Sequence, residues 1–195
     1  MLTEIEELSK KLHQLEMDWW IHHDLFTFQW WFIVVVNLLF FLAFLFLVDR
    51  GRALRMTVAF LLSFIILGTF DQTGQFFGLW SYEHEFIGFT ENYNAVDFLA
   101  VPSIFALTYQ MFTPWRIFLV ASLLVCLLNA YIAEPIFVAL GIYKLDNWSY
   151  TGSFVLLFIV TLLVKSLTDL IGSDKNTEDY RPKSQRTFGN KEKAR

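Results

Sequence analysis

The chain has 195 residues, 55% of them hydrophobic and 18% aromatic, with 22 Phe, a balance far more apolar than that of a water-soluble domain. Its net charge is -4 and it has no basic groove with interleaved aromatics, which excludes the usual electrostatic footprint of a nucleic-acid binder. A single cysteine, Cys126, excludes an internal disulfide framework and a cysteine-based zinc site, and its apolar surroundings suit a small core residue.

Residues 1–24 open the chain with an amphipathic helix. Ile5, Leu8, Leu12, Leu15 and Trp19 recur at alternating spacings of three and four, and Thr3 and Glu6 stand at capping-box spacing. The polar face is mostly acidic, with Glu4, Glu6, Glu7, Glu16 and Asp18 against Lys10 and Lys11. That charge argues against adsorption to anionic lipid and slightly favours docking on a protein partner, with a plain surface helix or homo-oligomerisation as equal alternatives. No basic n-region with a short apolar core precedes it, so the N-terminus is expected to be retained.

Charge collects in 1–24, 49–55, 83–91 and 172–195, and long apolar runs lie between, as expected where membrane lipid replaces water as solvent. The pattern predicts an all-α polytopic membrane helix bundle with about five transmembrane helices in 25–171, over 28–48, 57–80, 96–113, 115–138 and 151–171. Pro102 in the body of the third predicts a kink, Thr113-Pro114-Trp115 a tight turn, and Glu134-Pro135 a break near the end of the fourth. The polar tail 172–195 is expected to be disordered.

Arg50, Arg52, Arg55, Arg116 and the basic residues of the tail fall on one side, which by the positive-inside rule predicts an outside N-terminus and a cytoplasmic C-terminus. Trp19, Trp20, Trp30, Trp31, Trp80, Trp115 and Trp148 fall near span ends, where an aromatic belt belongs.

A charged side chain at mid-membrane costs roughly 2.5–3.5 kcal/mol even on the lenient insertion scale, so polar residues within spans carry the most information. Asp71 lies about 21 Å along the second span. With Gly68, Gln75 and Gly78 it forms a stripe spaced three, four and three, expected to face protein as a packing seam or as the wall of a pocket. Asp97 opens the third span, as a helix cap or a pocket acid, and Glu134 closes the fourth, so three acids converge at similar depth toward the outer side. Asn129 stands about a turn before Glu134, and Asn37, Tyr109 and Gln110 are expected to make interhelical hydrogen bonds.

His22, His23 and His84 adjoin carboxylates but lack HxxxH or HExxH spacing, so no metal and no cofactor is expected. GxSxG, SxxK, Walker-type and dinucleotide fingerprints are absent, and no internal repeat is detected. No catalytic residue is therefore identified.

Gly78-Leu79-Trp80-Ser81-Tyr82, Asp97 to Pro102, Tyr109-Gln110 with Trp115, and Glu134-Pro135 through Gly141-Ile142-Tyr143 to Trp148 form a further pattern. Over residues 28–171 the chain resembles a family of small multi-spanning membrane proteins of spore-forming Gram-positive bacteria. The resemblance implies a bacterial plasma membrane and shared polar and aromatic positions in the outer half, and carries over no catalytic residue.

The expectation is a multi-pass protein with an outward-facing pocket of Asp71, Gln75, Asp97, Asn129 and Glu134 for a small cationic or proton-coupled ligand. One rival is a membrane enzyme acting on a lipid or isoprenoid substrate, with two of these acids as its acid-base pair. The other is a structural protein that recruits a partner through its N-terminal helix.

Overall fold

Wherever the sequence offers about twenty apolar residues in a row, the backbone can satisfy itself in lipid only as helix, and the computed structural model follows that rule. The structure describes residues 1–88, 96 and 98–173. Helix α1 (Leu2–Trp19) runs into a π-helical turn, Trp20–Asp24, and then α2 (Phe28–Leu47). A 3-10 turn, Arg50–Arg52, leads into α3 (Ala53–Phe76), followed by strand β1 (Trp80–Tyr82). After α4 (Ala100–Met111), α5 (Trp115–Leu128) continues through a π-helical turn, Asn129–Ala133, into α6 (Glu134–Ala139). Strand β2 (Tyr143–Leu145) and α7 (Tyr150–Ser173) complete the described chain. The predicted tail from 174 onward lies outside the described residues.

Among the described residues, four segments are long and apolar enough to cross a membrane: Phe28–Leu47, Arg50–Phe76, Trp115–Ala139 and Tyr150–Gly172. The expected third span, 96–113, differs. Its described helix is α4, of 12 residues, about 18 Å at 1.5 Å per residue, too short for the ~30 Å hydrocarbon core.

α4 packs against α2, α3 and α5, and Val101, Phe105, Ala106 and Tyr109 join the main core with Met56, Ala59, Phe118 and Val160. Asn37, fully buried midway along α2, explains where α4 starts: its Oδ1 accepts the backbone N–H groups of Leu99 and Ala100, both at 3.1 Å. Pro102, expected to kink a helix body, instead occupies the first turn, where its missing N–H costs nothing. At the other end Gln110 clamps the α2–α3 connection, donating to Leu47 O at 2.8 Å and accepting from Asp49 N at 2.8 Å. α4 is thus an inner half-helix running from the middle of the bundle to its arginine-bearing end.

Asn37→Leu should therefore loosen α4 specifically. Two N–H groups of a buried first turn lose their acceptor, at about 1–3 kcal/mol for each stranded donor. A clear drop in unfolding midpoint in detergent is expected, and a midpoint unchanged from the parent would show that this cap does not hold the half-helix.

The expected break at Glu134-Pro135 takes the form of the π turn. Pro135 offers no N–H to the carbonyl of Tyr131, and the helix widens just before it so that Glu134 N reaches Asn129 O. Two glycines then end helices in the same way. Gly78 (φ 62) and Gly141 (φ 69) take the left-handed conformation, and Leu79 N reaches back to Gly74 O at 2.9 Å as Ile142 N does to Phe137 O at 3.0 Å. The strands that follow pair antiparallel, Trp80 with Leu145, Ser81 with Lys144 and Tyr82 with Tyr143, and close the end opposite the arginines. Ser81 Oγ donates to Asp146 at 2.8 Å, and that bond together with Lys144 holds the Asp146 carboxyl below the usual range.

Candidate functional site

The ribbon, the start of α4, the π turn Asn129–Ala133 and parts of α3, α6 and α7 line a cavity of ≈ 110 Å³. Asp71, Asn129 and Glu134 supply its polar wall, and Trp80, Tyr82, Phe137, Tyr143 and Trp148 its aromatic wall. Asp71, Asn129 and Glu134 are thus brought together as the sequence predicts, though the aromatic rings were not anticipated as its walls.

Asp71 is 3% exposed and gathers donors from its own helix and from β1. Trp80 Nε1 and Tyr82 OH donate to its Oδ1 at 3.0 and 2.8 Å, and Gln75 Nε2 donates to Oδ2 at 3.1 Å. Gln75 stands outside the cavity wall and acts by holding the carboxylate. Of the predicted stripe, Gly68 is buried beside Asp71, whereas Gly78 lies past the helix end as its cap. The small residue that matters most here is Gly74. A Cβ placed there would stand 2.0 Å from the Trp80 ring, so the indole reaches Asp71 by lying flat on a bare turn of α3.

Glu134 is served in the same manner from β2 and α7. Ser153 Oγ donates to Glu134 Oε1 at 2.9 Å and accepts from Trp148 Nε1 at 3.1 Å, and Tyr143 is also hydrogen-bonded to Glu134. Trp148 rests on Gly152, whose added Cβ would come within 2.8 Å of the ring. The rings of Trp80 and Trp148 meet edge to face at 5.3 Å, and those of Tyr82 and Tyr143 lie tilted to each other at 5.2 Å. Asn129 donates its Nδ2 to Val125 O at 3.1 Å and lines the cavity beside the widened turn. Asp97 lies outside the described residues, although its neighbour Val96 lines the cavity.

The two corners correspond residue by residue, a relation missed when the sequence is scanned for repeats. An offset of 63 residues separates Asp71 from Glu134, Gly78 from Gly141, and the paired Ser81 from Lys144. In each corner the acid precedes a left-handed glycine by seven residues, and an apolar residue and then an aromatic follow it. α3 and α6 thus each end at a left-handed glycine that leads into one strand of the antiparallel ribbon, which sets an acid one corner before an aromatic strand residue in both.

A second polar cluster fastens the chain before α2 to the loop after β1. Asp24, 2% exposed, accepts from Glu85 N and pairs with His84 Nδ1 at 2.8 Å. Trp20 Nε1 donates to Glu85 O and Trp30 Nε1 to Phe86 O, both at 3.2 Å. Of the other histidines considered for metal, His22 pairs with Asp18 at 3.2 Å and His23 stacks on Trp19. An outer cavity of ≈ 400 Å³ adjoins this cluster, lined by Glu16, Asp18, Asp24, Glu83 and Glu85 among others, and Tyr82 lines both cavities.

Lys165 was missed in the sequence. It is 1% exposed, donates to Thr113 O at 3.0 Å, pairs with Asp169 at 3.3 Å and lies within 5.0 Å of the ring centres of Tyr109, Trp115 and Phe118. The detectable signal was Lys165 four residues before Asp169 inside an apolar run. This cluster ties α7 to the α4–α5 turn, far along the chain from the cavity residues of α7. No protein-family model, no curated protein and no solved structure matches this chain.

Proposed function

We propose that the chain is a membrane-spanning binding protein whose pocket takes a small organic cation between Asp71 and Glu134. The observation that carries this reading is the pairing of two carboxylates with four indole and phenol rings around one cavity. Aromatic faces attract a desolvated cation by about 2 kcal/mol or more, and the acids supply the countercharge. The apolar share of the wall, including Leu67, Val101, Phe137 and Leu156, suits an alkylated ammonium better than a bare metal ion, which would demand more oxygen ligands. The arginines gathered at the opposite end support an orientation with the ribbon outside and the C-terminus cytoplasmic.

Tetraethylammonium and an uncharged analogue of the same shape, titrated into the protein in nanodiscs, test the reading through quenching of Trp80 and Trp148 fluorescence. The charged probe should bind, the neutral one should not, and Glu134→Gln should weaken binding about tenfold, equivalent to ~1.4 kcal/mol. Equal binding of both probes, or of neither, would overturn it. Conversion of an incubated membrane lipid extract into a new product by mass spectrometry would replace it with the enzyme reading.

A further inference from the structure

From the first helix we infer that α1 pairs with α1 of a second copy of this chain as a parallel two-stranded coiled coil. Ile5, Leu8, Leu12, Leu15 and Trp19 are 49–67% exposed, and α1 has no buried residue. Beyond the π turn that continues it, α1 packs along no other helix of the bundle. Trp19 stacks on His23 and with Leu15 borders the outer cavity, while the seam through Ile5, Leu8 and Leu12 is left without a cover among the described residues.

The spacing selects the cover. Placing Ile5, Leu12 and Trp19 at a and Leu8 and Leu15 at d makes a heptad seam, and the flanking e and g positions from Glu4 onward, Glu4, Ser9, Lys11, Glu16 and Asp18, are all polar, Leu2 in the first turn being the apolar exception. A helix lying in a lipid surface presents a broader apolar face, with a flanking e or g position apolar as well. The acidic polar face would also be repelled by anionic headgroups.

Charge then selects the second copy and its direction. In a parallel pair the g residue of one helix meets the e residue five positions on in its partner, which sets Lys11 against Glu16 on both edges. Within one chain Glu4 pairs with the N-terminal amine and Asp18 with His22, while Lys11 and Glu16 have no ion pair among the described residues. An antiparallel pair would set Lys11 against Lys11 and Glu4 against Asp18, both repulsive.

Cysteine cross-linking of the full chain in liposomes tests this, with Cys126→Ala to remove the native thiol. Under mild oxidation Ile5→Cys and Leu12→Cys should each give a covalent dimer on denaturing gels, while Lys10→Cys on the outer face should not. Self-linking at Ile5→Cys is specific to the parallel arrangement, because an antiparallel helix would bring Leu15 opposite it. Lys11→Glu should lower the Leu12→Cys yield several-fold, and adding Glu16→Lys should restore it. Absence of linkage at both seam positions, or linkage at Lys10→Cys equal to theirs, would overturn the proposal. So would a dimer yield indifferent to the charge reversals, which would leave an apolar partner of another kind on the seam.

Discussion

Asp71→Ala is expected to destabilise the protein by several kcal/mol, at about 1–3 kcal/mol for each buried donor left without its acceptor. The change strands the indole N–H of Trp80, the hydroxyl of Tyr82 and the amide of Gln75 together, and the first of these belongs to a ring that is 6% exposed. Water cannot replace the lost acceptor easily at a residue 3% exposed. Glu134→Ala should cost less, because Glu134 is only partly buried and Ser153 and Trp148 keep each other as partners when it goes. Asp71→Asn should fall between, since one carbonyl oxygen remains and the new amide turns donors toward donors. Unfolding midpoints of the three variants in one detergent decide the order. A loss at Asp71 no larger than at Glu134 would mean that the three donors find other acceptors.

Gly74→Ala should act on the pocket without touching a polar atom. One methyl group would overlap the Trp80 ring at 2.0–2.5 Å from its nearest atoms, closer than any real contact, so the indole must leave the surface of α3. Its N–H then loses Asp71, and its edge-to-face partner Trp148 loses one wall of the cavity. Binding of the cationic probe should weaken about tenfold or more, ~1.4 kcal/mol or above, with a shifted Trp emission spectrum. Gly152→Ala meets the Trp148 ring only at 2.8–3.2 Å, which a small tilt of the indole relieves, so its effect should be milder. Identical behaviour of the two variants would show that Trp80 is not seated by the glycine beneath it.

How far these features were legible in the sequence varied with their range along the chain. Apolar run length and charge placement depend on neighbouring residues alone, and they determined the membrane-spanning helical bundle and the amphipathic α1. Depth along a helix singled out Asp71 and Glu134, because a carboxyl inside an apolar run is costly wherever the chain goes. Pro135 also announced its irregularity locally, although a widened π turn rather than a sharp kink resulted.

What only the tertiary structure decided are relations across the chain. The third apolar run has the composition of a span, yet Asn37 caps its described helix from the middle of α2, 62 residues away in sequence, and makes it a half-helix. Trp80 and Trp148 read as part of an interfacial belt. They became the walls of a pocket because two left-handed glycines turn the chain into strands that pair over the acids. Lys165 went unread in the sequence because its rings and carbonyl come from α4, α5 and the turn between them. A sequence states the cost of burying each polar group. Which partner offsets that cost depends on contacts between distant segments, and those exist only once the helices have packed.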